Sequence, residues 1–140
     1  MLKELQVVVF SIDEQEYGID IEKVQEIIRV PVVTRLPGTA DYVLGITNLR
    51  GSVIPIVDLK KISLGLSTAP TEESRVIVVE VGEKRMGLVV DEVDEVMPVP
   101  HDFIVSKELI GTASQAEYLR GVAKVDTRLL YVLDVDKLIA

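Results

Sequence analysis

The sequence predicts a mainly β protein made of two pseudo-symmetric halves, each of about five short strands that curl into a small sheet or barrel. Three observations carry this reading. The chain contains an internal repeat. Its apolar residues fall in short β-branched runs bounded by turns. Helical spacing is confined to one brief stretch in each half.

The repeat fixes the layout. VVVFSIDEQEYGIDIEKVQEII, from Val7, aligns without a gap over VIVVEVGEKRMGLVVDEVDEVM, from Val76, at an offset of 69 residues. Val7 meets Val76, Val9 meets Val78, Gly18 meets Gly87 and Ile27 meets Val96, while Glu14 and Glu26 meet Glu83 and Glu95. A second block, YVLGITNLRGSVIPIVDLKKI from Tyr42, aligns over YLRGVAKVDTRLLYVLDVDKL from Tyr118 at an offset of 76. Tyr42, Gly45, Asp58 and Lys61 recur as Tyr118, Gly121, Asp134 and Lys137. The offset grows because the second half has a longer connection. Order, spacing and non-apolar residues agree together, so chance similarity between strand-rich segments is the weaker explanation. The division falls at residues 1–66 and 67–140, with exchange of strands between the halves left open.

Taken in order, Val7 to Ile12 and Arg75 to Val81 read as strands, followed by the polar turns Asp13-Glu14-Gln15-Glu16 and Gly82-Glu83-Lys84-Arg85. Tyr17 to Ile21 and Met86 to Val90 are the return strands. IEKVQEII then has apolar residues at 21, 24, 27 and 28, and VDEVDEVM copies it. Both are too short and β-branched for a long helix, so each is expected to be one helical turn running into a strand. Pro31, Pro37, Pro98 and Pro100 limit helix extension. A short helical turn is expected around Tyr42. Gly45 to Leu49 with Ser52 to Leu59, and Gly121 to Val125 with Arg128 to Val135, form further hairpins. Pro55 makes its strand an edge there, or bulged. SLGLSTAPTEES, residues 63–74, is the polar connection between the halves.

Composition excludes several function classes. With 140 residues and 48% hydrophobic content the chain can build a real core, and 27% charged residues keep it soluble. No apolar run reaches the roughly 18 residues of a membrane helix. The N-terminal run in MLKELQVVVF lacks a small-residue cleavage site, so no signal peptide is expected. There is no cysteine, which excludes disulfides and thiolate metal sites and fits a cytoplasmic protein. The net charge of -8 repels phosphate backbones, arguing against nucleic acid as a partner.

Catalytic and cofactor signatures are absent. There is no GxGxxG, no GxxxxGK[ST] and no GxSxG. The single histidine, His101, follows Pro98-Val99-Pro100 in what reads as a loop, with no pattern supporting a triad. Asp91, Glu92, Asp94 and Glu95 crowd one segment but lack calcium-loop spacing and its turn glycine, so they read as a solvated acidic face. No cofactor or metal is expected.

The repeat also supplies a control. Positions shared by both halves serve the fold, and positions that differ are free for other work. Asn48, Leu49, Arg50 and Gly51 correspond to Lys124, Val125, Asp126 and Thr127, with only the apolar position kept. Gly51 has a structural reason, since glycine tolerates positive φ in a tight turn. Asn48 can cap the turn. Arg50 has the weakest structural reason of the set.

GITNLRGSVIPIVDL, EYGIDIEKVQEII and RLPGTADYVLG, taken together and in order, resemble the CheW-like domain family of bacterial chemotaxis. The resemblance runs from Leu5 to Ile139. It implies a single domain over residues 1–140, built of two five-stranded SH3-like β-barrels with short helical turns around a shared apolar interface. The same module occurs at the C-terminus of the kinase CheA and in CheV-type fusions. This chain has no kinase or receiver segment, so the stand-alone form is expected. The implied function is a non-enzymatic adaptor. It would join the cytoplasmic tips of chemoreceptors (methyl-accepting proteins) to the regulatory domain of the histidine kinase CheA, in the cytoplasm at membrane-associated arrays and without inserting in the membrane.

Carried over position by position, the resemblance places Val24, Glu26 and Ile28 in a receptor groove, with Asn48, Arg50 and Gly51 in the turn beside it. Val33 and Gly45 match positions implicated in receptor or kinase coupling. Receptor tips are helical hairpins, so docking would be helix-in-groove. Kinase contacts should use the barrel ends. The family fold that the resemblance implies places the segments of Glu26 and Arg50 close together, and their opposite charges lead to a specific expectation, that they pair and hold the turn beside the groove. The repeat counterparts Glu95 and Asp126 cannot form a matching pair. Three alternatives stand beside the adaptor: a carboxylate-dependent hydrolase, a barrel module binding a small ligand between its halves, and a scaffold of this family serving a different receptor–kinase pathway.

Overall fold

The computed structural model describes residues 4–106 and 118–139. The longer connection expected in the second half includes residues 107–117, which lie outside that description. The first half runs through strands Glu4–Ile12 (β1), Gln15–Asp20 (β2), Val24–Arg29 (β3), Val43–Leu49 (β4) and Ser52–Asp58 (β5), then helix Leu59–Leu64 (α1). The second runs through Arg75–Val81 (β6), Lys84–Val90 (β7), Glu92–Pro100 (β8), Ile104–Ser106 (β9), Leu119–Val125 (β10) and Arg128–Leu133 (β11), then helix Val135–Ile139 (α2).

The strands form two sheets, one ordered β8-β1-β2-β11-β10-β9 and the other β3-β6-β7-β5-β4. The first hairpin of each half therefore sits in the sheet built mainly from the other half. Its docking is parallel: β2 pairs with β11 at Tyr17 and Gly18, and β7 with β5 at Gly87 to Val89. Each sheet curls around its own cluster. Leu5, Val7, Val9, Val99, Ala123, Leu130 and Val132 fill one, and Ile54, Ile56, Val76, Val78 and Val89 fill the other. A third cluster, including Phe10, Ile12, Ile19, Leu59, Ile77 and Leu88, fills the space between the barrels. Along β1, Val7 and Val9 face the barrel interior, while Val8 and Phe10 face the shared interface. A strand buried on both sides needs a continuous apolar run, which is why VVVF and VIVV do not alternate.

Several expectations change in detail. The first half makes its helical turn, a 3-10 turn at Ile21–Lys23 running into β3, because the Asp20 carboxylate accepts the Glu22 N–H at 3.0 Å. The counterpart of Asp20 is Val89, which cannot cap, so the second half enters β8 with no such turn. Its 3-10 turn comes later, at His101–Phe103. Around Tyr42 there is a hydrogen-bonded turn, Val43 N–H to Ala40 carbonyl at 3.0 Å, in place of helix. The strands expected to run to Leu59 and Val135 stop at Asp58 and Leu133. Buried Asp58 caps α1 through the Lys61 N–H, and Gly65 at φ +73 ends the helix. Pro55 lies in an interior strand, but pairing with β7 begins only at Ile56, so β5 is locally an edge there.

The short ninth strand completes the symmetry. β9 pairs along β10, with Val105 opposite Val122. The equivalent in the other barrel is a single bridge, Thr34 to Ile46, with hydrogen bonds of 2.8 and 2.9 Å. No helix among the described residues is long and apolar enough to cross a membrane.

Candidate interaction site

The turn between β4 and β5 is closed by Leu49 opposite Ser52, leaving Arg50 and Gly51 at its centre. Both have positive φ, 51° and 83°, which is the backbone of a type I′ hairpin turn. Asn48 accepts the Gly51 N–H on Oδ1 at 3.1 Å and so caps the turn. Positive φ at Arg50 is not special to the site, because its counterpart Asp126 has φ 56°. Both hairpins take that conformation at the first central position, where the side chain differs; at the second, Gly51 has positive φ and its counterpart Thr127 does not.

Arg50 reaches across the barrel end to β3. Its Nε donates to Glu26 Oε2 at 2.9 Å and its Nη2 to Glu26 Oε1 at 3.2 Å, a bidentate fork. β3 and β4 are the two edges of their sheet, so the pair links one edge to the turn leaving the other. The Arg50 side chain is 76% exposed and that of Glu26 20%. Hydrogen bonding from Arg50 holds the Glu26 carboxyl below its ordinary range, and the same contact raises Arg50. In solvent such a pair contributes little to stability, so its effect is geometric.

The neighbouring side chains play different parts. Val24 and Ile28 are half-buried, Val24 against the inter-barrel core and Ile28 against the core of its own barrel. The exposed apolar residue on β3 is Ile27, and Val53 is exposed on β5. Val33 and Gly45 touch each other. Gly45 has φ +148°, and a Cβ there would lie 2.2 Å from the Thr34 carbonyl oxygen and 2.7 Å from Val33 Cγ1. Gly121 has the same relation to Val105. Glycine at this position is thus a requirement of both barrels.

Elsewhere, the second half contains an ion pair that the sequence comparison missed. Glu95, the counterpart of Glu26, meets Arg128 at 3.1 Å, and Arg128 also forks onto Glu16 at 2.7 and 3.1 Å. The arginine comes from the position equivalent to Ser52, two residues past Asp126. Asp91 accepts the Asp13 N–H at 2.7 Å and lies 3.9 Å from Lys60, while Asp94 accepts the Ser11 hydroxyl at 2.8 Å. These carboxylates join strands and turns.

Paired barrels with a packed interface, and a charged turn held against an edge strand, are the features of a binding scaffold. Residues 6–140 match the CheW-like domain, and the chain belongs to that family. It is 36% identical to the chemotaxis protein CheW of Klebsiella aerogenes over 94% of this chain and 80% of that one. It is 34% identical to the chemotaxis protein CheW of Thermotoga maritima over 99% of this chain and 89% of the other. The crystal structure of the scaffolding protein TtCheW from Thermoanaerobacter tengcongensis superposes with a TM-score of 0.86 at 34% identity, covering 94% of this chain and 90% of that one.

Proposed function

We infer that this chain couples chemoreceptor cytoplasmic tips to the regulatory domain of the histidine kinase CheA, in the cytoplasm at membrane-associated arrays. The observation that carries the reading is the Glu26–Arg50 fork, which fixes a charged turn beside the half-buried Val24 and Ile28 of β3. A helical hairpin docking here meets apolar contacts with a polar rim, the composition of a helix-in-groove site. Asn48 and Gly51 shape the turn that presents Arg50. Val33 and Gly45 act more indirectly, by setting how closely residues 33–34 lie along β4.

Charge reversal tests the site. Glu26→Arg and Arg50→Glu should each weaken binding to a receptor signalling fragment, and the double reversal should partly restore it. Loss in both single variants without rescue in the double would sink the pairing. The small-ligand alternative has less support, because Phe10, Ile12, Ile19, Leu59, Ile77 and Leu88 fill the space between the barrels.

A further inference from the structure

Beneath the Glu26–Arg50 fork lies a second arginine, contributed by the other half of the repeat. Arg85 on β7 donates through Nη1 to Gln25 Oε1 at 3.2 Å and through Nη2 to the Ser52 hydroxyl. Its Nε is 3.9 Å from Glu80 Oε2, and Gln25 Nε2 donates to that oxygen at 2.9 Å. Gln25 immediately precedes Glu26, beside the register shift between Val24 and Glu26. Ser52 immediately follows the Arg50–Gly51 turn. One guanidinium therefore ties Gln25, next to Glu26, to Ser52, two residues past Arg50. Its side chain is only 27% exposed, against 76% for Arg50.

The repeat shows that this cluster is built into the fold. Glu80, Arg85, Gln25 and Ser52 correspond to Ser11, Glu16, Asp94 and Arg128. In the other barrel Ser11 bonds Asp94, and Glu16 bonds Arg128, as Glu80 bonds Gln25 and Arg85 bonds Ser52. The same four positions form a latch in both barrels, with the polarity exchanged. In one barrel Arg128 occupies Glu16 and Glu95 together, so the turn needs no cation and carries Asp126. In the other the latch arginine sits at Arg85, the counterpart of Arg128 is neutral Ser52, and Glu26 is left to the turn's Arg50.

We propose that Arg85 is a positioning residue for the receptor site, holding β3 and the β4–β5 turn at the separation that the Glu26–Arg50 fork requires. The inference rests on the proposed function for what the fork contacts; the latch itself does not. Arginine suits the role because its planar fork reaches two partners at once, which a lysine ammonium cannot reproduce. The charge of Arg85 also helps, after that of Arg50, to keep the Glu26 carboxyl low.

The test compares wild type with Arg85→Met, Arg85→Lys and Ser52→Ala. Two quantities are read: the NMR titration midpoint of the Glu26 carboxyl, and affinity for a receptor signalling fragment. In Arg85→Met the midpoint should rise and affinity should fall by about threefold to tenfold, the effect of a lost polar contact. Arg85→Lys should recover the midpoint in part but little of the affinity. Ser52→Ala keeps the cation and removes one anchor, so it serves should Arg85→Met fail to fold; its affinity should fall less. Movement of midpoint without affinity, or affinity without midpoint, in Arg85→Met overturns the assignment. If wild type does not bind the fragment, the function reading fails by itself. The latch is then judged on the Glu26 midpoint alone, and an unmoved midpoint overturns it.

Discussion

Gly45→Ala should be among the most damaging single-methyl additions in this protein, and its cost can be worked from the geometry. The new Cβ would lie 2.2 Å from the Thr34 carbonyl oxygen and 2.7 Å from its carbon, both backbone atoms that no rotamer change can move. Relief requires residues 33–34 to shift by about 1 Å, toward ordinary contact distance. That shift breaks the two Thr34–Ile46 hydrogen bonds of 2.8 and 2.9 Å, each contributing about 0.5–1.5 kcal/mol net. Forcing an L-residue to φ +148° adds about 1–3 kcal/mol. A total of about 2–6 kcal/mol is a large part of the roughly 5–15 kcal/mol that stabilises a domain. Gly51→Ala is the internal control. It has φ +83° but no atom within 4 Å of its added Cβ, so it carries only the backbone term, about 1 kcal/mol. Urea unfolding of both variants separates strain from collision. Equal midpoints for Gly45→Ala and Gly51→Ala would refute the close-approach argument and return Gly45 to the list of direct partner contacts.

Other outcomes follow from the same structure. The Arg128 fork lowers the Glu16 carboxyl from its ordinary value of 4.5, so its stabilisation is present above that value and is lost as pH falls through the lower folded-state value. Arg128→Met should cost about 0.5–1 kcal/mol at neutral pH, and chemical denaturation at falling pH should show the gap to wild type closing. Asp58→Ala removes a buried carboxylate that caps α1 and accepts both the N–H and hydroxyl of Thr68, so thermal unfolding should show a loss of about 2–3 kcal/mol. A fragment of residues 1–66 lacks β6 and β7, which pair with β3 and β5. It should be unfolded by circular dichroism alone and gain strand signal on mixing with 67–140.

Much of the architecture is legible because the repeat acts as its own alignment. The hairpins, the connection and the helical turn before β3 all follow from local pattern. The helices α1 and α2, in DLKKISLG and DVDKLIA, were missed because each opens after its aspartate on an apolar residue, Leu59 or Val135, that continues the strand's run. The signals were the capping Asp58 and Asp134, plus Gly65 after the first helix. The exchange of hairpins is a long-range pairing between β-branched strands of equal quality, so no local feature distinguishes it from pairing within a half. At the site, the family resemblance brings the segments of Glu26 and Arg50 together, and their opposite charges then suggest that they meet. The Glu95–Arg128 contact is not legible in residues 48–51 and their counterparts, because its arginine stands two residues past Asp126, where the first half has Ser52. The reciprocal change of Arg85 to Glu16 was visible in the same alignment.

The proposed function requires one small scaffold to engage a receptor tip and the CheA regulatory domain at once. Co-sedimentation with a receptor signalling fragment and the CheA regulatory domain, separately and together, tests it most directly. The account predicts binding to each partner alone and a ternary complex with both, with Arg50→Glu losing the receptor arm while keeping the kinase arm. Binding to neither partner would contradict it.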